Sequence, residues 1–476
     1  MMVIQHSVER KALFGEKLNF KFLKFMILLI NSFGTTVTFY FSFENSSNGT
    51  FFMWLIPLFY TVLFYKTNML YGALNFFGIA IFNAILFFRY LISPAYSSLY
   101  GIYDHSRAGL ISEFANRESI LLMLYEMICF FIVFHFSIKK LIKYKNIMSQ
   151  EIYFKNLKVR GLIVVMMIGV ISFLIFPAIR ERTNFLIASG FGESNLSAIA
   201  GIGFLFTEAS LQCLFLLVVI NQFKNLIIGQ KVKDLLIIFI IILQVSIFWS
   251  ESRTTVVVNG IASIGLLLYL KLLNKTIFVS IVSVTIIATL SLSAFQMFKD
   301  GDLVAFRSSI SEYSDQQTSV DYLQSYFGGQ NLIANAIELK PKIQNRINIE
   351  TFFNEIIGSI LFIRQVFPPS NNQTTVHFNK IFGHDEMNSM ILPTLGQGYL
   401  YFGLIGAPII SVLFSVLLIK AEKSLLLSNT IGEKYAFLVL VIWLGLFPLQ
   451  NMNIIAATIF NVFGPLYLFV KFNKVF

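Results

Sequence analysis

Apolar runs of about 20 residues recur along the chain between short polar segments, which is the pattern of helices that cross a bilayer. A helix on the surface of a soluble domain would instead alternate apolar and polar faces, and the strands of a membrane barrel would alternate residue by residue. The pattern therefore predicts an all-α integral membrane protein. About twelve spans are predicted, near 22–43, 51–65, 69–92, 119–138, 161–179, 200–223, 235–250, 254–270, 277–298, 398–419, 436–450 and 451–470.

One long hydrophilic stretch, residues 299–397, separates the ninth and tenth predicted spans, whereas most other connections are short. Its segment 351–367, TFFNEIIGSILFIRQVF, has apolar residues at helical spacing but is too short and too charged to cross a membrane. We expect an amphipathic helix that lies in the membrane interface or caps the bundle. The chain thus divides into a bundle of about nine spans at 1–298, a large extracytoplasmic loop at 299–397 and C-terminal spans at 398–476.

The composition agrees with a membrane protein, because 56% of the 476 residues are hydrophobic and only 13% are charged, against about 25% charged in soluble domains. The net charge of +11 comes largely from basic residues in the segments on one side of the predicted spans. Under the positive-inside rule that side is the cytoplasm, so both termini are predicted to be cytoplasmic and nucleic-acid binding is not expected. The cysteines, Cys129 and Cys213, fall inside predicted spans and form neither a disulfide framework nor a metal motif, so no cofactor and no metal are predicted.

Three arginines lie at outward positions of the predicted topology and are candidates for binding an anion. Arg89 ends the third span in ILFFRYLISPAY, Arg253 begins the eighth span in SESRTT, and Arg364 lies in the long loop in LFIRQVF. A single arginine at a helix end commonly extends toward the lipid headgroups. Three on one face favour a shared site, since a guanidinium binds phosphate oxygens through two parallel hydrogen bonds.

Three further residues are candidates for proton transfer. Glu251 lies close to Arg253 in sequence, where it either forms an ion pair with an arginine or serves as a general base. His377 and Asp385 lie in HFNKIFGHDEMN, where each could accept a proton, bind a sugar hydroxyl or belong to a solvated loop. The spacing of the two histidines in this run matches no metal motif. These alternatives stay open at the level of sequence.

The chain resembles the Wzy-type O-antigen and capsular polysaccharide repeat-unit polymerases. The resemblance rests on the number of spans, the outward SESRTT corner that opens a span, and one large outer loop late in the chain. It also rests on LGQGYLYFGLIG, with which the chain returns to the membrane, and on FFRYLISPAY around Arg89, which is similar to the capsular members.

This resemblance implies a GT-C-like bundle in the bacterial cytoplasmic (inner) membrane. It implies a glycosyltransferase that joins undecaprenyl-diphosphate-linked oligosaccharide repeat units into O-antigen or capsular polysaccharide at the outer face of that membrane. Arg89, Arg253 and Arg364 would then bind the substrate diphosphate, and a chain-length regulator and a flippase are candidate partners.

Two alternatives remain open beside the polymerase. The first is a ligase of the O-antigen type, which uses the same chemistry to move a finished glycan. The second belongs to a different class and is a lipid-linked oligosaccharide flippase or a secondary transporter. Carriers typically have short outer loops and charged residues within their spans, so the long stretch 299–397 argues against them.

Overall fold

The fold is known as a computed structural model, and the described residues are 20–44, 49–100, 105–106, 109–148, 159–183, 198–246, 253–298, 320, 323–324, 326–361, 363, 370, 372–382 and 391–473. Nearly all of this part of the chain is helical, as the apolar pattern predicts. The first half of the chain contains α1 (Phe20–Glu44), α2 (Leu55–Lys66), α3 (Met69–Asn75), α4 (Phe77–Phe87), α5 (Ser93–Tyr100), α6 (Glu113–Met148), α7 (Arg160–Ile175), α8 (Pro177–Thr183), α9 (Ala198–Ile227), α10 (Asp234–Ser246), α11 (Arg253–Tyr269) and α12 (Lys275–Phe298). The second half contains α13 (Gln330–Ile343), α14 (Ile349–Ile357), α15 (Thr374–Phe382), α16 (Thr394–Gly406), α17 (Ile409–Leu427), α18 (Ile431–Gly445), α19 (Met452–Thr458) and α20 (Gly464–Phe472). A short hairpin of two strands, β1 (His105–Ser106) and β2 (Gly109–Leu110), precedes α6.

Several helices are long and apolar enough to cross a membrane, so the chain has the make-up of a multi-pass membrane protein. Five of them meet this test by length and composition within the described residues: Phe20–Glu44, Phe77–Tyr100, Glu113–Lys145, Ile199–Ile227 and Met452–Phe472. A sixth span results if α16 and α17 together form one broken span. The apolar helices α7, α10, α11 and α12 also occupy positions where the hydropathy pattern predicts spans.

The core of the bundle lies around α18, most of whose residues are buried, and it includes a group of stacked aromatic rings. Phe82 stacks on Phe134 and on Phe447, with ring centroids 4.7 and 5.3 Å apart. Helix α1 lies at the periphery, because only its narrow face of small and polar residues is buried against its neighbours. The other face of α1 is apolar and exposed, as expected for a helix that meets lipid.

One predicted span is broken near its start. The hydropathy pattern predicts a single helix over 69–92, but Phe76 adopts an extended conformation and separates α3 from α4. The carboxylate of Glu422 accepts hydrogen bonds from the backbone N–H groups of Gly78 and Ile79, at 2.5 and 3.4 Å. A carboxylate at this position satisfies amide groups that have no partner within the helix, and it therefore stabilises a new helix start inside the apolar run.

The predicted span 398–419 is also different in the structure, because it begins earlier and bends by 109° between α16 and α17. Gly403 has φ 72° and ψ −167°, a conformation that residues with a side chain rarely adopt. Pro408 follows at the start of α17 and has no N–H to continue the first helix. We call α16 and α17 the bent pair.

The long hydrophilic stretch is partly folded onto the bundle, and we call its described residues from 320 to 382 the covering segment. Its helix α13 packs on α6 and α16, and Gln330 donates hydrogen bonds to Asn116 Oδ1 and Ser119 Oγ at 2.7 and 2.8 Å. A second apolar cluster fixes the segment to α16 through Leu332, Leu339, Phe378 and Leu400. The segment is therefore a packed layer rather than a solvated loop.

The amphipathic helix predicted over 351–367 is present in a shorter form. Helix α14 begins at Ile349, has a capping box between Asn348 and Thr351, and ends at Ile357, while residues 362 and 364–369 lie outside the described residues. Glu355 is buried, and Phe353 is exposed on the opposite face. The orientation of α14 places a carboxylate on the inner face.

Candidate functional site

Arg89 lies inside a continuous helical segment rather than at the end of a span. The helix runs from Phe77 to Tyr100, and residues Phe88–Ile92 form a π turn directly before Pro94. A π turn absorbs an extra residue and lets the helix pass a proline, whose nitrogen has no hydrogen to donate. The sequence therefore placed the end of this span too early, and Arg89 points into the bundle instead of toward the outer surface.

The guanidinium of Arg89 is fully buried and forms an ion pair with Glu126 of α6, with 2.8 Å between Nη2 and Oε2. Its Nη1 donates a hydrogen bond to the carbonyl of Pro448 at 2.8 Å. Glu126 also accepts hydrogen bonds from Tyr90 OH at 2.9 Å and from Ser411 Oγ at 2.6 Å. Because both charges are paired and desolvated, removing either one alone would cost about 3–5 kcal/mol.

The covering segment lies directly over this ion pair. Phe327 stacks on Phe88 with ring centroids 4.7 Å apart, and Gln324 donates a hydrogen bond to Ser97 Oγ at 2.6 Å. Gly328 has φ 61° and lies so close that a Cβ on it would be 3.6 Å from Arg89 Nη1. In this arrangement the arginine acts as a cross-link between helices, and an anion would reach it only after Glu126 or the covering segment moves.

A second buried carboxylate, Glu355, connects the covering segment to the bent pair. It accepts hydrogen bonds from the hydroxyls of Thr374, Thr375 and Tyr401, at 2.8, 2.9 and 2.5 Å. The amide of Gln397 adds a further hydrogen bond at 3.1 Å, and the backbone N–H of Thr374 adds one at 3.2 Å. These donors satisfy both carboxylate oxygens and fix the side chain in place at the first turn of α15.

His377 lies one turn further along α15 and is 6% exposed. Its Nε2 has no hydrogen-bond partner among the described residues and is closed to solvent. Burial lowers the pKa of His377, the positive charges of Arg346 and Lys380 lower it further, and the charge of Glu355 opposes them. The imidazole is therefore neutral at pH 7 and keeps a nitrogen that can accept a proton.

The first turn of α16 connects Glu126 and Glu355 through two different residues. Thr394 Oγ1 lies 3.0 Å from Ser411 Oγ, which donates to Glu126, and Gln397 donates to Glu355. Gln397 also accepts a hydrogen bond from the backbone N–H of Met452 at 2.5 Å. The start of the bent pair thus connects the ion pair in the bundle with the carboxylate and imidazole in the covering segment.

The other residues singled out in the sequence fall largely outside the described part. Arg253 is the first residue of α11, and only its backbone is described. Glu251, Arg364 and Asp385 lie outside the described residues. Of the six candidates, the structure therefore describes the side chains of Arg89 and His377, and it places them in separate clusters that are joined through α16.

Glu126, Glu355 and Gln397 are site residues that the sequence analysis did not select. Glu126 is an acid inside an apolar span, and such a residue is itself a candidate for a functional site. Its partner Arg89 lies on another helix, so the sequence does not show that the two are paired. Glu355 has a weaker signal, because its polar neighbour Thr351 lies one turn before it on the same buried face of α14. Within the described residues, no three His, Cys, Asp or Glu side chains come together in a group that could hold a metal ion.

Comparisons with protein-family models, curated proteins and solved structures found no match for this chain.

Proposed function

We propose that this protein is a glycosyltransferase that polymerises undecaprenyl-diphosphate-linked oligosaccharide repeat units into O-antigen or capsular polysaccharide. In the proposed topology, twelve spans of a GT-C-like bundle cross the bacterial cytoplasmic membrane, both termini are cytoplasmic, and the covering segment lies on the outer face. The sequence pattern and its resemblance to the Wzy-type polymerases support the class of reaction.

One structural observation carries the proposal. A buried carboxylate and a buried neutral imidazole lie in a folded segment that is fixed to the start of a bent membrane helix through Gln397 and Tyr401. Sugar transfer from a lipid carrier needs a proton acceptor at the point where a water-soluble glycan meets a membrane-bound diphosphate. The cluster of Glu355 and His377 supplies such a group on a segment that packs against the bundle.

The proposed reaction joins two lipid-linked glycans. A hydroxyl of the acceptor sugar attacks the anomeric carbon of the growing chain, and the bond between that carbon and the diphosphate oxygen breaks. The hydroxyl proton passes to His377 Nε2, and the undecaprenyl diphosphate leaves with the negative charge. Because Nε2 is closed to solvent, the covering segment has to open locally before the acceptor can bind.

The leaving diphosphate needs positive charge, which arginine side chains can provide. We assign the first contact to Arg253 and Arg364. Arg89 joins them only if it exchanges Glu126 for the diphosphate, and otherwise it holds the helices that form the site. Glu251 and Asp385 remain proposed as further acids that help to accept or deliver the proton.

The proposal is tested by deleting the gene and complementing it with variants, with surface polysaccharide analysed by gel electrophoresis. We expect deletion and His377→Ala to leave single repeat units, while Lys342→Ala, a change at an exposed residue of the covering segment, restores the full polymer ladder. Loss of all surface glycan in the deletion strain would favour the flippase. Polymer that accumulates on the lipid carrier without transfer to its final acceptor would favour the ligase.

A further inference from the structure

Helix α16 is broken at Gly403, a few residues before the bend between α16 and α17. Gly403 interrupts the helix, so the residues before it form a helical half that ends at Phe402. The carbonyls of a last helical turn lack the full set of partners within the helix, and they carry the negative end of the helix dipole. A hydrogen-bond donor or a positive charge that reaches these carbonyls stabilises such an end.

Lys340 of α13 provides this donor from the covering segment. Its Nζ donates a hydrogen bond to the carbonyl of Tyr399 at 2.9 Å, in the last turn before the break. The ammonium also lies over the ring of Tyr399, 4.3 Å from the ring centroid. A Cβ placed on Gly403 would lie 3.3 Å from the same Nζ, so the ammonium sits directly against the break.

Lys340 differs from an ordinary surface lysine in its surroundings. It is half-buried, and this burial lowers its pKa. Lys342, on the same helix, is exposed, and its Nζ lies 5.7 Å from the centroid of the Phe382 ring. The chain therefore offers a matched pair of lysines, one against the break in α16 and one away from it.

We propose that Lys340 is a positioning residue whose ammonium caps the part of α16 before Gly403 and holds the break at that glycine. Three contacts carry this inference: the hydrogen bond to Tyr399, the ring contact and the close approach to Gly403. The consequence for the site is direct, because the capped half of α16 carries Gln397 and Tyr401, which bind Glu355. Lys340 thereby fixes the position of the Glu355 carboxylate without touching it. The inference concerns the break itself and holds whatever reaction the protein performs.

The geometry at the break is measured with two spin labels on the full-length protein in lipid nanodiscs. Ile405 follows the break and is 84% exposed, and Ile349 is 61% exposed on α14, so both positions accept a label. The native cysteines are first removed as Cys129→Ser and Cys213→Ala. Pulsed dipolar spectroscopy then gives the distribution of distances between the two labels.

We expect a single narrow distribution in the unsubstituted chain, in Lys340→Arg and in Lys342→Met. Lys340→Met is expected to shift or broaden the distribution, because a thioether cannot donate to the carbonyl of Tyr399. A distribution in Lys340→Met that is the same as in Lys342→Met would overturn the inference.

A second measurement uses the native protein and needs no substitution. The native protein is treated with an amine-acetylating reagent, and the rate of modification of each lysine is followed by mass spectrometry. The lowered pKa of Lys340 increases its fraction of reactive amine, whereas the contacts at the helix end protect that amine until it is released. We expect the protection to dominate, so that Lys340 reacts more slowly than Lys342. Equal rates at the two lysines would show that Lys340 is not held at the break.

Discussion

Glu355 of the covering segment accepts a hydrogen bond of 2.5 Å from the hydroxyl of Tyr401, which lies in the first half of the bent pair. This contact joins a segment that the sequence presents as an outer loop to a helix of the membrane bundle. It also places a carboxyl group in a fully buried position. Stability and site geometry therefore depend on the same few hydrogen bonds.

Replacing this carboxylate is expected to loosen the covering segment. In Glu355→Gln, one acceptor oxygen becomes an NH2 group that faces hydroxyl and amide donors, so at least one buried donor loses its partner at a cost of about 1–3 kcal/mol. The variant should denature at a lower temperature in detergent and should be cleaved faster by protease within residues 326–382. The exposed Glu350 on the same helix provides the control, and Glu350→Gln should behave as the unsubstituted chain. Equal protease resistance in the two variants would show that Glu355 does not fasten the segment.

The ion pair of Arg89 and Glu126 is expected to show strong coupling in a double-mutant cycle. Arg89→Met or Glu126→Leu alone leaves one uncompensated buried charge, which should destabilise the protein by about 3–5 kcal/mol. The double variant should recover most of this loss, since it leaves no charge buried in the bundle. The measurement is the thermal or denaturant midpoint of the four proteins under identical conditions.

The same cycle separates the two roles of Arg89. If Arg89 only holds the helices, the stable double variant should retain polymer formation in complemented cells. If Arg89 binds the diphosphate, the double variant should fold and yet produce single repeat units. A cycle in which the two single effects simply add would contradict the ion pair itself.

The lowered pKa of His377 leads us to expect that the protein loses stability in acid. Its folded pKa lies below the ordinary value of 6.5, so in mildly acidic solution the unfolded chain binds a proton that the folded chain does not bind. The free energy of unfolding should therefore fall as the pH decreases through 6.5, and the fall should level off below the lowered folded pKa. His377→Gln should remove this part of the pH dependence, which is checked by thermal denaturation between neutral pH and pH 5. A pH profile unchanged by the substitution would contradict the buried neutral imidazole.

The close approach within the bent pair predicts opposite effects for two glycine substitutions. The carbonyl oxygen of Ala407 leaves no space for a Cβ on Gly398, so Gly398→Ala should destabilise the protein by about 1–3 kcal/mol through overpacking. A Cβ on Gly201 in α9 would meet no atom of the described residues within 4 Å, so Gly201→Ala should stabilise the protein by up to about 1 kcal/mol. The denaturation midpoints of the two variants test this difference. A Gly398→Ala variant as stable as the unsubstituted chain would contradict the close contact between Gly398 and Ala407.

The hydropathy pattern predicts the positions of the helices well, because burying an apolar run of this length in lipid depends mainly on the residues of the run itself. Helix α1 at Phe20–Glu44 lies close to its predicted span of 22–43, and α11 starts at Arg253 as the SESRTT corner indicates. The breaks at Phe76 and Gly403 were not predicted. They are stabilised by Glu422 and Lys340, which are distant in sequence.

The candidate site was also predicted only in part, because its contacts join residues that are distant in sequence. His377 could be selected from its residue type, whereas the burial of Arg89 depends on Glu126 of α6 and on the covering segment above it. Glu355 looks like one of several acids in a hydrophilic stretch until α14 is seen to turn it inward. The sequence therefore indicates which groups are chemically capable, but long-range packing decides which of them meet.

The central claim is that His377 accepts a proton during transfer between two lipid-linked glycans. It is tested most directly with purified protein in nanodiscs, incubated with lipid-linked repeat units from the host strain and analysed by mass spectrometry. We expect the unsubstituted protein and Lys342→Ala to release undecaprenyl diphosphate and to form products of two or more units, while folded His377→Ala forms none. Products of normal length from folded His377→Ala would contradict it.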